Sequence, residues 1–92
     1  MVTCIMLINA PLREVNRVAN EIMAYPEVMD VYSVTGQWDL VAVLKASSND
    51  EIANLITEKL AVIAGIEKTD TMWAFKSYSS QDIDSMFDMG NG

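Results

Sequence analysis

Apolar positions along the chain recur with two different periods, and the switches between them divide the sequence into elements. Thr3 to Asn9 is short, apolar without interruption from Cys4 to Ile8, and bounded by polar residues, the pattern of a strand buried on both faces. Pro11 suits a first helical turn, where its fixed φ and missing N–H do no harm. Behind it Leu12, Val15, Val18, Ala19, Ile22 and Met23 recur at helical spacing, while Arg13, Glu14, Asn16, Arg17, Asn20 and Glu21 form the opposite, solvated face. Tyr25 precedes Pro26 and is pushed out of the α region, so the helix is expected to end there. Val28 to Val34 is β-branched and aromatic but broken by Asp30 and Ser33, as an edge strand permits. Thr35-Gly36-Gln37 makes a turn, and Leu40 to Leu44, apolar throughout, returns as the antiparallel partner of a hairpin. Ser48 and Glu51 offer a capping box ahead of Ile52, Leu55, Ile56, Leu60 and Ile63, and Gly65 supplies a stop for this second helix. Glu67 to Phe75 then alternates, with Thr69, Thr71, Trp73 and Phe75 on one side and Lys68, Asp70, Met72 and Ala74 on the other.

The order of elements is βαββαβ. The simplest right-handed arrangement of two such crossovers is an α+β, ferredoxin-like fold with an antiparallel sheet in strand order 4-1-3-2. The polarity of the strands agrees with that order, because the two placed at the centre are apolar on both faces and the two at the edges carry the polar residues. The folded domain is expected over residues 1–76. Residues 77–92 are expected as a tail whose Ile83, Met86 and Phe87 are spaced like one helical turn, either frayed or docked on a neighbouring subunit.

Two helices cover only one face of a four-stranded sheet, and the apolar residues on the other face need a cover. At about 25 cal/mol per Å² of apolar surface, several hundred Å² left in water forfeits on the order of ten kcal/mol, comparable to the whole stability of a domain. A homodimer with sheets packed face to face is therefore expected.

Composition narrows the chemistry. Six Lys and Arg against thirteen Asp and Glu give a net charge of -7, which repels a phosphate backbone and an anionic membrane alike, so neither direct nucleic-acid binding nor membrane binding is expected. The longest apolar run is too short to span a bilayer, and nothing at the N-terminus has the form of a signal peptide, so a cytoplasmic location is expected. The chain has no histidine, a single cysteine and no carboxylate cluster spaced for calcium or zinc, so no metal or cofactor is implied. Cys4, inside an apolar strand, is expected to behave as a small buried hydrophobe. The seven methionines are spread through every element and read as filling in core and interfaces.

The stretch Val31 to Val41, V-Y-S-V-T-G-Q-W-D-L-V, followed by Gly65 to Thr71, G-I-E-K-T-D-T, resembles the effector-binding half of the Lrp/AsnC transcription regulators. Two short motifs in the right order, T-G-x-aromatic-D at a hairpin and G-V/I-x-x-T-x-T opening the last strand, carry the resemblance, which covers Thr3 to about Phe75. It implies a dimeric α/β barrel, dimers assembling into an octamer or decamer, and an amino acid or related effector bound between dimers. It also implies ligand-binding residues at Thr35, Gly36, Trp38 and Asp39 of the hairpin and at Thr69 and Thr71 of the last strand. In the full-length regulators a helix-turn-helix domain precedes this half. Here the first strand begins at Thr3, so a stand-alone sensing module is expected, either by itself or mixed with full-length regulators through a shared assembly surface.

Each candidate also has a plain structural reading. Asp39 can receive an α-amino group, or can close the hairpin by accepting backbone N–H bonds. Gly36 suits a turn that needs positive φ as well as it suits close approach of a ligand carboxylate. Thr69 and Thr71 present hydroxyls on one strand face, yet β-branched residues are ordinary there. Trp38 and Trp73 fit an interface at least as well as a ligand. Trp38 stands where tyrosine is common, which exchanges a hydroxyl for an indole N–H donor.

Two other functions share the element order. A small cofactor-free monooxygenase of the dimeric α/β barrel class would place its substrate between sheet and helices and would need a buried acid or base. An ACT-type regulatory domain joins its sheets edge to edge, which the doubly apolar central strands disfavour. A binding module that catalyses no reaction is the expected function.

Overall fold

A computed structural model describes residues 1–78 of the chain. Four strands form one antiparallel sheet: β1 (Val2–Asn9), β2 (Val28–Ser33), β3 (Leu40–Ala46) and β4 (Lys68–Trp73), in the order β2-β3-β1-β4. This is the α+β ferredoxin-like arrangement expected from the element order, with the two doubly apolar strands at the centre. Residue 79 onward, including the Ile83, Met86 and Phe87 cluster, lies outside the described residues.

Alternation along the two central strands divides the sheet into unlike faces. Cys4, Met6 and Ile8 of β1 stand opposite Leu44, Ala42 and Leu40 of β3, and all six are buried. Onto that face pack Val15, Val18 and Ile22 of α1 (Val15–Met23), together with Ile52, Leu55 and Leu60 of the second helical segment. Burial pushes the Cys4 thiol above its ordinary pKa, so it stays neutral and packs as the expected hydrophobe.

The helices begin and end differently from a regular pattern. The first opens as a single 3₁₀ turn, Leu12–Glu14, with the Glu14 N–H donating to the Pro11 carbonyl at 2.8 Å, and only then becomes α-helical. Leu12, expected on the buried face, is therefore turned outward and 88% exposed, and Met23 at the other end is also exposed. α2 (Asn49–Asn54) starts as expected, with Ser48 Oγ accepting the Glu51 N–H at 3.2 Å. The reciprocal half of the box shifts back one residue: the Glu51 carboxylate accepts from Ser47 Oγ at 2.7 Å and Ser47 N–H at 3.2 Å. After Asn54 the helix widens into a π turn, Leu55–Leu60, whose Ala61 N–H donates to the Ile56 carbonyl at 2.9 Å.

Two strands deviate at their ends. β4 stops at Trp73, leaving Phe75 fully in solvent instead of on the strand. In β2 the pairing jumps from Val28 opposite Leu44 to Asp30 opposite Val43, so Met29 is an extra residue in a bulge on that outer strand.

The second face of the sheet carries Ile5 and Leu7 opposite Val43 and Val41, with Tyr32 and Met72 beside them. None of the four central aliphatic side chains joins the buried cluster, and all remain half-buried, while Tyr32 and Met72 are exposed.

Candidate functional site

The hairpin between β2 and β3 and the start of β4 meet at the end of β1. The Asp39 N–H donates to the Ile8 carbonyl and the Val34 N–H to the Asp39 carbonyl, both at 3.0 Å, which closes the hairpin base against β1. On the other side of β1, Thr69 stands opposite Ile8 and Lys68 opposite Asn9, and the Glu67 N–H donates to the Asn9 carbonyl at 2.9 Å. Asp39 and Thr69 thus flank one residue of one strand.

Asp39 accepts a backbone N–H, as its structural reading expects, but from the end of β1 instead of from its own hairpin. Its Oδ2 accepts the Ala10 N–H at 2.9 Å and Asn9 Nδ2 at 3.2 Å, and the same Asn9 amide donates to the Gln37 carbonyl at 2.8 Å. These bonds pin the exit of β1 to the hairpin tip. Both bonds to Asp39 use one carboxylate oxygen; among the described residues Oδ1 makes no hydrogen bond, and the residue is half-buried. Gly36 takes φ +109°, as the turn requires, and a Cβ there would meet nothing within 4 Å. Thr35 beside it is exposed.

Trp38 reaches across the end of β1 toward β4, where the Lys68 ammonium lies 5.7 Å from its ring centroid, within cation–π range. Thr69 and Thr71 lie on the helix-facing side of β4, opposite Ile8 and Met6, Thr69 exposed and Thr71 half-buried. The fold therefore brings Trp38, Asp39 and Thr69 to one end of the sheet, but Asn9 and Lys68, which meet Asp39 and Trp38, alternate onto the open face while Thr69 faces the helices. Thr35 and Gly36 stand out at the hairpin tip, and Thr71 lies about 7 Å further along its strand.

Beside this end of the sheet is a recess of about 190 Å³ between the π turn and the start of β4. Met6, Ile56, Leu60, Ala61 and Ile66 give it apolar walls, and Glu67, Lys68 and Thr69 complete its lining. Of the six candidates only Thr69 lines it. Asn9, Lys68 and the recess are not among the features expected from the sequence. Asn9 reads there as the polar end of an apolar run, and its position directly before Ala10-Pro11 is the only local sign of a special role. The recess depends on a π turn, which has no sequence signature of its own.

An enzyme of the barrel class would need a buried acid or base between sheet and helices. Among the described residues no polar or charged residue is buried as a whole, although the Glu27 Oε1 atom is. No described helix is long and apolar enough to cross a membrane.

Comparison with known proteins agrees with this geometry. The family model of the Lrp/AsnC ligand binding domain matches residues 3–83. An uncharacterised HTH-type transcriptional regulator of Pyrococcus horikoshii, PH1916, is 40% identical over 58 residues, which is 63% of this chain and 39% of the regulator. The chain thus spans about two fifths of that relative's length. The crystal structure of TTHA0845 from Thermus thermophilus superposes with a TM-score of 0.80 at 34% identity, covering 86% of this chain and 99% of that one. A more distant likeness, of fold alone, is to the transcriptional regulator NMB0573 of Neisseria meningitidis in its complex with L-Met, with a TM-score of 0.75 at 12% identity over 85% of this chain and 52% of that one. The matched family and the curated relatives are regulators of transcription, not enzymes.

Proposed function

Because the chain belongs to the Lrp/AsnC ligand-binding-domain family, and so is a regulatory effector-binding module, we propose that its effector is an amino acid or a closely related small molecule held at the hairpin corner. In this reading Thr35, Gly36, Trp38 and Asp39 of the hairpin and Thr69 and Thr71 of β4 contact the ligand. The observation that carries it is the unequal use of the Asp39 carboxylate: Oδ2 holds the hairpin to β1, while Oδ1 is left for an ammonium at a half-buried position. That NMB0573 is a fold relative in complex with L-Met supports the choice of ligand class.

The same reading has the module assembling in two steps. A second copy covers Ile5, Leu7, Val41 and Val43, and dimers then join into an octamer or decamer in which a neighbour closes the exposed side of the corner. The net charge of -7 disfavours direct contact with DNA by this module, so effector binding would act through assembly or through a full-length partner regulator in the cytoplasm. Titration calorimetry against the twenty amino acids and simple 2-oxo acids tests the proposal. Saturable heat from at least one of them is expected, and silence across the panel would defeat it.

A further inference from the structure

We propose that the segment from Ile83 to Phe87 folds back onto the far end of β4 of its own chain and covers Trp73 there. This contact is independent of the effector-binding reading. The helix-facing side of the sheet is sheltered unevenly along β4. At its start, Thr69 shares a recess with Ile56 and Leu60 of the second helical segment. At its far end Trp73, opposite the buried Cys4 on the same face, is 46% exposed. Phe75 lies fully in solvent and Tyr78 is 70% exposed, so three aromatic side chains within six residues are left uncovered. Each such ring carries roughly 150–250 Å² that favours burial. A run of them in water marks a surface that receives something.

The occupant follows from pattern and reach. Ile83, Met86 and Phe87 are spaced i, i+3, i+4, which puts them on one side of a helical turn, and Asp84, Ser85 and Asp88 fall on the other. So short a helix has little stability alone in water and gains it from an apolar surface to lie on. Five residues lead from Trp73 to Tyr78 and five more from Tyr78 to Ile83, so the second stretch, about 17 Å at full extension, can retrace the first. The ladder does not oppose a return. β4 stops at Trp73, and the Ala74 N–H makes the last bond to β1 among the described residues, donating to the Thr3 carbonyl at 2.9 Å.

Charge sets which side of the turn faces the sheet. Residues 79–92 hold Asp82, Asp84 and Asp88 and no Lys or Arg. Lys76, 5.3 Å from the Tyr78 ring centroid, puts a cation at the root of the segment. Asp50 and Glu51, of like sign to the segment, open α2 at this same end of the sheet, just after Ala46 opposite Val2. The aspartates of the segment therefore belong on its solvent side, which is where the spacing puts Asp84 and Asp88. Met86 and Phe87 lie beyond residue 83, where the match to the Lrp/AsnC ligand binding domain ends, so the contact is a feature of this chain.

Trp38→Phe leaves Trp73 as the one tryptophan of the full chain, so its fluorescence reads the contact. Removing residues 79–92 from that chain should shift the emission to the red and raise acrylamide quenching about twofold or more, because the ring loses its cover. Ile83→Ser combined with Phe87→Ser in the full-length chain should reproduce the deletion. Asp84→Ser, on the other side of the turn, should leave emission and quenching as they are. Light scattering should give each variant the same number of copies, with an unchanged circular dichroism spectrum for the serine pair. Emission and quenching that ignore the serine pair would overturn the docking, and the pair decides alone if the shortened chain fails to fold. A rise in quenching that comes with a smaller assembly would place the segment on a second copy and overturn docking on its own chain.

Discussion

At Asp39 the carboxylate accepts from the Ala10 backbone and from the Asn9 side chain, so truncation to alanine leaves a half-buried backbone donor without its partner. Asp39→Ala should lower unfolding stability by about 1–3 kcal/mol in a urea titration. Asp39→Asn keeps an oxygen in the same place and should cost less than half of that. If the carboxylate also receives an ammonium, both variants should lose amino-acid affinity by about tenfold or more, because the amide has no charge to offer. An Asp39→Asn chain that binds like wild type would reduce Asp39 to a hairpin clamp. That Asp39 accepts a backbone N–H was legible in the sequence, but the reading put the donor in the hairpin, whereas it is the Ala10 N–H at a separation of 29 residues. The bond from the Asn9 side chain was no more legible, because it spans 30 residues and the one local sign is the place of Asn9 directly before Ala10-Pro11.

Among the elements, Gly36 and Gly65 make a controlled comparison. Both have positive φ, at +109° and +100°, but a Cβ at Gly36 meets nothing within 4 Å, whereas one at Gly65 would lie 2.7 Å from Arg17 Nη2 and 3.2 Å from Val18 Cγ2. Arg17 Nη2 is the far end of a flexible, exposed side chain, but its displacement gives up the 2.7 Å bond to the Ala64 carbonyl, and the buried Val18 methyl must give way as well. Gly36→Ala should therefore cost only backbone strain, about 1–2 kcal/mol, and Gly65→Ala distinctly more, as read from thermal unfolding of the two variants side by side. Equal melting temperatures would show that the loop relaxes around the added methyl. Strand positions, the first helix and the Ser48 cap could be read from periodicity and capping chemistry because those signals are local. The π turn could not, because apolar residues at Ile52, Leu55, Ile56 and Leu60 satisfy an α-helix equally well. Leu12 illustrates the same limit: its spacing fits the buried face, but the 3₁₀ entry after Pro11 rotates it into water.

For the whole molecule, the unlike faces of the sheet set where the proposed second copy would sit. Val43 lies half-buried on the open face opposite Ile5, away from the helices, so Val43→Asp adds a charge where the proposed second copy would sit and leaves the core untouched. Light scattering should find this variant monomeric and folded at concentrations where the wild-type chain is dimeric or larger. A wild-type chain that is itself a folded monomer at micromolar concentration would remove the face-to-face assembly from the proposal. The expectation of a cover came from two central strands with no polar side, whereas the number of copies in the proposed ring would rest on small angles at surfaces that periodicity does not encode. Met29 adds one more constraint on association. Its extra residue puts the amides and carbonyls of the outermost strand out of step, so that margin is a poor template for a foreign backbone. Ribbon-like growth along the hydrogen-bonding direction is discouraged there, and a protein this oily is steered away from fibrous aggregation on that side by a single inserted residue.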